Sequence, residues 1–436
     1  MYNRDMSINK LIQERDALPK GYISKKVIKG ITYFYRQYLE NGKLISKYIP
    51  KEKAAEIALK IKRRKEIEKA IKLAVDARPL RKLSNRDKTL TGAIMMGDLV
   101  TARFNNGRIT YIDEAVCPLF IKRTKDIYNF LANRILDLSR PNARLLLKVL
   151  SIQNKKDEYI ALYSHGACIS DNYWFRATGS KQKYADIFFD NDAYSDLALQ
   201  GKIVNLPALS GSPELSAIGS FEKCWKKING EWWMYKAGKK EELFSELFCF
   251  QLAKTFKMPT AIYEYSDGFI RTKNFADKLN FEPMFSLAGD NEEYGFVFKL
   301  LYDIDREIAR SFIALLWFDC LVFNPDRHNQ NYGLLRDKNT GKIISLAPNF
   351  DNNLALIAYS KKLSHDPKND SLIRLFSTFI SKNDVAMKLF KEFSMPLLNE
   401  DMVKSCFQEI PIKENESEIM EFIMSRYRYL VALYNS

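Results

Sequence analysis

The alternation of apolar and polar positions marks the first structural unit. Residues 31–38 read Ile-Thr-Tyr-Phe-Tyr-Arg-Gln-Tyr, a run of strand formers. Glu40-Asn41-Gly42-Lys43 follows, and Asn-Gly is a strong hairpin signal because both turn positions take positive φ. Residues 44–49 supply the return strand, and 51–73, just after Pro50, read as a long basic helix. Residues 1–18 read as a short helix closed by Leu18-Pro19-Lys20-Gly21. Residues 21–76 are therefore expected to form a hairpin-plus-helix unit.

Further along, 89–113 alternates as short strands do, 124–138 and 142–150 read as helices, and 165–210, with its scattered Asp, is expected to be rich in loops. A Gly/Ser stretch opens the rest: Ser210-Gly211-Ser212-Pro213-Glu214-Leu215-Ser216-Ala217-Ile218-Gly219-Ser220-Phe221-Glu222-Lys223. Strands over 224–228 and 231–235 flank an Asn229-Gly230 turn, and Lys236 ends the second strand. A helix over 241–256, strands and a loop over 260–275, and a buried helix over 308–323 follow. Another hairpin is predicted over 333–337 and 342–346 around Asn339-Thr340-Gly341, before Phe350-Asp351 and a helical remainder.

Length and composition narrow the class. At roughly 100–200 residues per domain, 436 residues suggest two or three domains. The 46% hydrophobic and 28% charged content excludes a mainly disordered chain, a collagen and a coiled-coil rod. The net charge of +15 is concentrated: residues 1–86 carry 23 Lys/Arg against 9 Asp/Glu, and the remainder is nearly neutral. A basic segment on a neutral body points to a local polyanion contact or to a solvated basic face. Six scattered Cys and three His, with no Cys-x-x-Cys, argue against a disulfide framework or a zinc site. The N-terminus has no apolar run, and the apolar stretch 312–323 contains Asp319 and is too short for a bilayer. A soluble, cytoplasmic protein with no membrane contact is expected.

The chemistry lies in the order of four pieces after residue 210. They are a Gly-containing loop before a hairpin, a Lys ending the hairpin's second strand, a Glu on the next helix, and Asp-x-x-x-x-Asn followed by a further Asp. That is the kinase parts list. Backbone N–H groups of a small-residue loop can approach phosphate oxygens. A strand Lys neutralises phosphates, and a helical Glu holds the Lys. Asp326 through Asn331 has the required offset of five, and Asp351 lies 20 residues further on, across a hairpin that returns it toward Asn331.

With these motifs in register, residues 211–436 resemble the HipA-like kinases, atypical bacterial serine/threonine kinases related in their catalytic loop to phosphatidylinositol kinases. Asp326, His328 and Asn331 match the family's Asp-x-His-x-x-Asn, and Phe350-Asp351 matches its hydrophobic-Asp pair. Ser216–Lys223 matches its Ser-x-x-Gly-x-x-Glu-Lys loop, Lys236 its strand lysine, and Glu246 through Leu252-Ala253 its helix pattern. The resemblance implies an α+β, two-lobed protein-kinase-like fold, here with a small N-terminal β-hairpin/helix module. The expected divisions are 1–86, a basic module; 87–210, a region associated with the N-lobe; and 211–436, the kinase domain.

The resemblance also implies roles. Asp326 is the catalytic base, and Asn331 and Asp351 bind Mg²⁺. Lys236 holds the ATP phosphates, with Glu246 as its anchor. Ala217, Ile218, Gly219, Ser220, Phe221 and Glu222 cover the phosphates. Lys273, Asn274 and Phe275 lie near the adenine hinge. Ser216 occupies the family's autophosphorylation position. The implied activity is ATP- and Mg²⁺-dependent transfer to a protein Ser/Thr hydroxyl, with an unnamed protein substrate and an antitoxin-like regulator as partners. Two other readings stand beside it: a nucleic-acid-binding regulator on an inactive kinase scaffold, and a lipid or small-molecule kinase.

Several residues have blander readings. Glu242 rivals Glu246 one turn away. His328 reads as a scaffold hydrogen-bonder, and Arg327 as a partner for a carboxylate. Asp319 is costly to bury alone and is expected to hold the catalytic loop. Cys249 and Cys320 read as core, Asn349, Asn352 and Asn353 as turn residues. Separately, residues 21–76 resemble the AP2-like arm modules of phage integrases, which implies DNA or RNA contact with the hairpin in a groove.

Overall fold

The computed structural model describes residues 14, 17–28, 31–40, 43–76, 90–105, 107–202, 211–358, 367–392 and 395–435. The chain divides into two compact units, Met1–Arg86 and Asp87–Ser436.

In the first unit, β1 (Tyr22–Ile28), β2 (Ile31–Glu40) and β3 (Lys43–Ile49) form an antiparallel sheet in the order β1-β2-β3. Helix α1 (Lys51–Asp76) follows and packs on β1 and β2. The expected hairpin is β2–β3, in register at Tyr35 and Tyr48; residues 41–42 at its turn lie outside the described residues, as does nearly all of the helix expected over 1–18. Strand β1 is an addition to the sequence expectation. Its two adjacent lysines interrupt the apolar alternation, and its pairing to β2 supplies what the pattern lacks. Gly21 precedes it at φ +102°, where an added Cβ would fall 1.9 Å from the Gln37 carbonyl oxygen.

The second unit opens with β4 (Gly92–Met96), β5 (Leu99–Asn105) and β6 (Arg108–Tyr111), the short strands expected there. Helices α2 (Leu119–Thr124) and α3 (Ile127–Ala132) replace the single helix expected over 124–138. The break has a local cause: Lys125 sits at φ +56°, and the Asp126 carboxylate accepts the Tyr128 and Asn129 N–H groups to start a new helix. After α4 (Pro141–Val149) and α5 (Asp157–Tyr163), β7 (Tyr173–Ala177) completes the sheet β6-β5-β4-β7. The region expected to be loop-rich thus contributes a strand whose Trp174 is fully buried, together with α6 (Tyr184–Ile187) and α7 (Ser195–Gln200).

Strands β8 (Lys223–Ile228) and β9 (Glu231–Lys236) form the predicted hairpin, and α8 (Lys240–Thr255) the predicted helix. With β10 (Tyr263–Ser266) and β11 (Phe269–Lys273) they give a second sheet, β10-β11-β9-β8. Trp174, Trp225 and Trp232 pack with Met95 and Ala217 in one core, so residues on either side of 210 share an interior. Strand β12 (Leu279–Pro283), which the sequence pattern did not reveal, pairs with β13 (Gly333–Asp337) beside β14 (Ile343–Leu346). Its Glu282 is buried in an ion pair with Arg336, and Tyr173 donates to the same carboxylate at 3.0 Å. This carboxylate links β12 and β13 to β7.

The helical half holds α9 (Phe285–Ala288), α10 (Tyr294–Ile304), α11 (Arg306–Val322), α12 (Ser371–Ser381), α13 (Asp384–Glu392), α14 (Glu400–Gln408) and α15 (Glu416–Asn435). Phe248 and Cys249 of α8 pack into the same core as Phe312, Phe318 and Cys320 of α11 and Phe376 of α12. Among the described residues no helix is long and apolar enough to cross a membrane.

The turn before β8 contains a titratable anchor. Ser212 Oγ accepts the Glu214 N–H at 3.3 Å, and the buried Glu214 carboxylate accepts the Trp225 N–H at 3.2 Å on the outer edge of β8. Burial pushes its pKa up to about 8, against the opposing backbone hydrogen bond. A carboxyl raised in the folded state stabilises fully below its unfolded pKa, and that contribution is lost as pH rises from about 4.5 to about 8. Glu214→Gln should therefore become more stable than the parent chain as pH rises through this window, by at most about 1.4 kcal/mol per pH unit. Urea midpoints between pH 5 and 8 measure the difference; a pH-independent difference would refute the assignment.

Candidate active site

Strand register brings two lysines together. Lys236, the last residue of β9, pairs directly with Lys223, the first of β8, so both side chains lie on one face of the sheet. Lys236 is buried and forms an ion pair with Asp351. Its Nζ lies 3.7 Å from Glu246 Oε2 and 4.8 Å from the centre of the Phe221 ring. Glu246, mid-helix in α8, is fully buried, and its Oε1 accepts the Asn352 N–H at 2.8 Å. Glu242 does another job: its carboxylate accepts the Lys239 N–H at 2.6 Å and closes the first turn of α8. The structure therefore sets Glu246 beside Lys236 and keeps Glu242 at the helix start.

The charges are unevenly shared. Burial works against the Asp351 carboxylate, but Lys236 and then Lys223 overcome it and hold its pKa well below the usual range. Burial pushes Glu246 up, with Lys236 only partly opposing. Lys236 is raised despite its burial, first by Asp351, then by Glu246, with a smaller contribution from Asp326. Among the described residues Glu246 Oε2 has no hydrogen-bond partner. Lys236 thus leans toward Asp351 and keeps the Glu246 carboxylate, on which Tyr263 also acts, at the longer ion-pair distance.

The loop that follows α11 is held by one guanidinium. Arg327 Nε and Nη2 donate to the two Asp319 carboxylate oxygens, each at 2.9 Å. Its Nη1 donates to the carbonyls of Asn331 and Phe350 at 2.7 Å. Its Nη2 also reaches Asn349 Oδ1 and Asn352 Oδ1 at 2.9 Å. Asp319, buried on an apolar helix, therefore holds the loop 326–331 and the segment 349–352 through Arg327. Asn331 Nδ2 donates to the Asp326 carbonyl at 2.9 Å, which fixes the amide's orientation. His328 is a scaffold residue, its Nδ1 accepting the Gln330 N–H at 3.2 Å. Asp351 takes φ +61°, a left-handed conformation that Asp tolerates, and its N–H donates to the Tyr263 hydroxyl at 3.2 Å.

The Gly-containing loop is fixed from behind by cations. Arg140 donates to the Ala217 carbonyl and, through Nε at 2.6 Å, to the Gly219 carbonyl. Lys223 Nζ donates to the intervening Ile218 carbonyl at 2.8 Å. Three successive carbonyls are thereby turned inward. Gly219 is at φ +108°, and a Cβ there would lie 2.5 Å from Lys223 Nζ. The Asn142 N–H donates to Glu222 Oε1 at 2.8 Å, a second tie from the same segment. Burial, then the neighbouring Arg140 and Lys236, bring the Lys223 pKa down to about 7. Arg140 and Lys223 were not singled out from sequence. Arg140 is 79 residues from the carbonyl it holds and carries no motif; Lys223 was only the motif's last letter. Ser216 is buried, its Oγ donating to the Pro213 carbonyl at 3.0 Å.

Lys273, Asn274 and Phe275 stand apart from the charged cluster. Lys273 pairs with Glu231 at 2.5 Å, and the Asn274 N–H donates to the Trp232 carbonyl at 2.9 Å. The three line a cavity of about 320 Å³ together with Trp232 and Leu279. Phe275 packs against Phe281 and Phe350, both at 5.5 Å between ring centres, which links this segment to the residue before Asp351.

Residues 5–59 match a family model described as a domain of unknown function, DUF6788. No curated protein sequence matches the chain. Among solved structures, the chain is similar to Shewanella oneidensis MR-1 HipA, solved as a toxin–antitoxin complex with HipB and operator DNA. The TM-score is 0.54 at 13% identity, over 79% of this chain and 97% of that one. A Helicobacter pylori proinflammatory kinase, CtkA, is matched with a TM-score of 0.36 at 15% identity, over 49% of this chain and 92% of that one. The fold is thus the HipA-type kinase fold. The resemblance read from motifs covered 211–436, whereas 79% of 436 residues exceeds that span, so the likeness extends into the residues before 211.

Removing Arg327 leaves the Asp319 carboxylate buried without its partner. Arg327→Leu should cost about 3–5 kcal/mol, read as a lower urea midpoint; Asp319→Asn with Arg327→Leu together should recover part of that loss. An Arg327→Leu chain as stable as the parent would show that the guanidinium does not hold the loop.

Proposed function

We propose that the chain is an ATP- and Mg²⁺-dependent phosphotransferase acting on protein Ser/Thr hydroxyls. The observation that carries this is the placement of Lys236 between Glu246 and Asp351, in ion-pair range of a Glu246 carboxylate oxygen that has no hydrogen bond. That arrangement fits a lysine with two alternative carboxylate partners. When Asp351 turns to a cation, Lys236 has Glu246 Oε2 to receive it and stays protonated to meet phosphate oxygens. Asp351 and Asn331 are the hard-oxygen side chains for Mg²⁺. Bound there, the ion supplies neutralisation of phosphate charge during transfer.

The chain's own residues do the rest. Arg140 and Lys223 hold the carbonyls of residues 217–219 inward, and the loop's N–H groups beyond Ala217, whose own N–H is spent on the Glu214 carbonyl, meet phosphate oxygens. Asp326, on the loop clamped by Arg327, accepts or orients the proton of the attacking hydroxyl. Lys273, Asn274 and Phe275 offer the adenine hinge beside their cavity. Catalysis in this reading is positioning plus charge neutralisation. The HipA-type fold supports a protein hydroxyl as acceptor. Autophosphorylation at Ser216 requires its turn to leave the interior, because the hydroxyl is buried.

The test is incubation of the full chain with labelled ATP and Mg²⁺, with phosphosites read by mass spectrometry. Acid-stable label on a serine or threonine is expected, falling at least about a hundredfold in Asp326→Ala and in Lys236→Met. No label and no ATP consumption would reject the reading; ATP consumption with label only on added lipid or small-molecule acceptors would replace the acceptor class.

A further inference from the structure

The first unit carries an open aromatic face that the phosphotransfer chemistry does not use. Register places Tyr22, Ser24 and Lys26 of β1, Tyr33, Tyr35 and Gln37 of β2, and Ser46 and Tyr48 of β3 on one side of the sheet. The opposite side carries Ile23, Phe34, Tyr38, Ile45 and the buried Ile49, interspersed with Lys25, Val27, Arg36 and Lys47. Tyr22 and Tyr48, by contrast, are 50% and 58% exposed. The apolar side thus holds the buried Ile49, and the tyrosine side is open to solvent at Tyr22 and Tyr48.

The open face is organised. Tyr48 meets Tyr35 edge-on at 5.9 Å and Tyr33 at 6.3 Å between ring centres. Lys26 Nζ lies 5.2 Å over the Tyr35 ring. Lys26 shares this face, whereas Lys25 and Lys47, exposed on the two outer strands, project to the opposite side; neither outer strand contains an acidic residue. Residues 1–86 as a whole carry a net +14.

We propose that this face binds single-stranded nucleic acid, with unpaired bases stacking on Tyr22, Tyr33, Tyr35 and Tyr48, a phosphate held by Lys26, and the strand attracted by the net positive charge of the unit. Charge complementarity selects a polyanion. The tyrosines select among polyanions, because ring faces add affinity only for a ligand that presents flat π-surfaces. In a duplex the base faces are occupied by their own stack, so a tyrosine platform favours unpaired strands. A protein surface of matching acidity would leave the four rings with no use for their faces. This mode differs from insertion of the hairpin in a duplex groove, which the integrase-arm resemblance implies.

Fluorescence anisotropy of the full chain tests it, using labelled oligo(dT) and oligo(rU) of about twenty nucleotides, a blunt duplex of equal length, and inorganic polyphosphate as competitor. The unpaired oligonucleotides should bind at least about tenfold tighter than the duplex; whichever of the two binds better identifies the sugar. Tyr22→Ala with Tyr48→Ala should weaken binding at least about tenfold with the salt slope unchanged, and Tyr22→Phe with Tyr48→Phe should bind like the parent. Lys26→Ala should lower the salt slope by about one. Duplex binding as tight as single-strand binding, full displacement by polyphosphate with no effect of the tyrosine substitutions, or no binding would each overturn the proposal.

Discussion

The buried pair of Asp319 and Arg327 is the constraint on which the site rests. One guanidinium, fixed by a carboxylate from α11, spends its remaining hydrogen bonds on two carbonyls and two asparagine side chains from two separate loops. Those loops carry Asp326, Asn331 and Asp351. A buried charge pair is a weak source of stability by itself, but it is a strong source of geometry, because either partner left alone is costly. The apolar core around α8 and α11 makes the arrangement rigid: Glu246 and Asp319 project from helices whose other faces are packed with aromatic rings.

A second layer of constraint comes from the sheet. Pairing of Lys223 with Lys236 sets two cations side by side, and each resolves its repulsion differently. Lys236 takes the carboxylates of Asp351 and Glu246, whereas Lys223 gives its hydrogen bond to the Ile218 carbonyl and is pushed down toward neutrality. Arg140 joins from the segment before 211. The loop over the proposed phosphate site is therefore shaped by residues on both sides of that boundary, in keeping with a structural likeness to HipA that is longer than the motif-bearing region.

Much of this was legible in the residues. The β8–β9 hairpin followed from Asn229-Gly230, and Lys236 followed from ending it. Asp319 stood out because a carboxylate inside an apolar helix demands a partner, and Arg327 eight residues on was the nearest one in sequence. The helix pattern of the resemblance picks Glu246 over Glu242, and spacing alone does not separate the two. Both lie on one helical face, and the position of the helix start, where Glu242 is consumed as a cap, separates them. Strands β1 and β12 were missed because polar residues interrupt their apolar patterns; the adjacent lysines of β1 lie over Phe34 and Tyr35 of the next strand. Glu282 breaks the apolar pattern of β12, and Arg336, 54 residues later, makes its burial possible. Arg140 was invisible because a long-range contact to backbone carbonyls leaves no spacing signal.

The central claim is that Asp351 exchanges Lys236 for a cation when nucleotide binds, with Glu246 as the receiving carboxylate. Calorimetric titration of the full chain with a non-hydrolysable ATP analogue, with and without Mg²⁺, addresses it directly. The account predicts binding that strengthens at least about tenfold with Mg²⁺ in the parent chain and loses that dependence in Asp351→Asn. Equal affinity with and without Mg²⁺, or an unchanged Mg²⁺ dependence in Asp351→Asn, would contradict it.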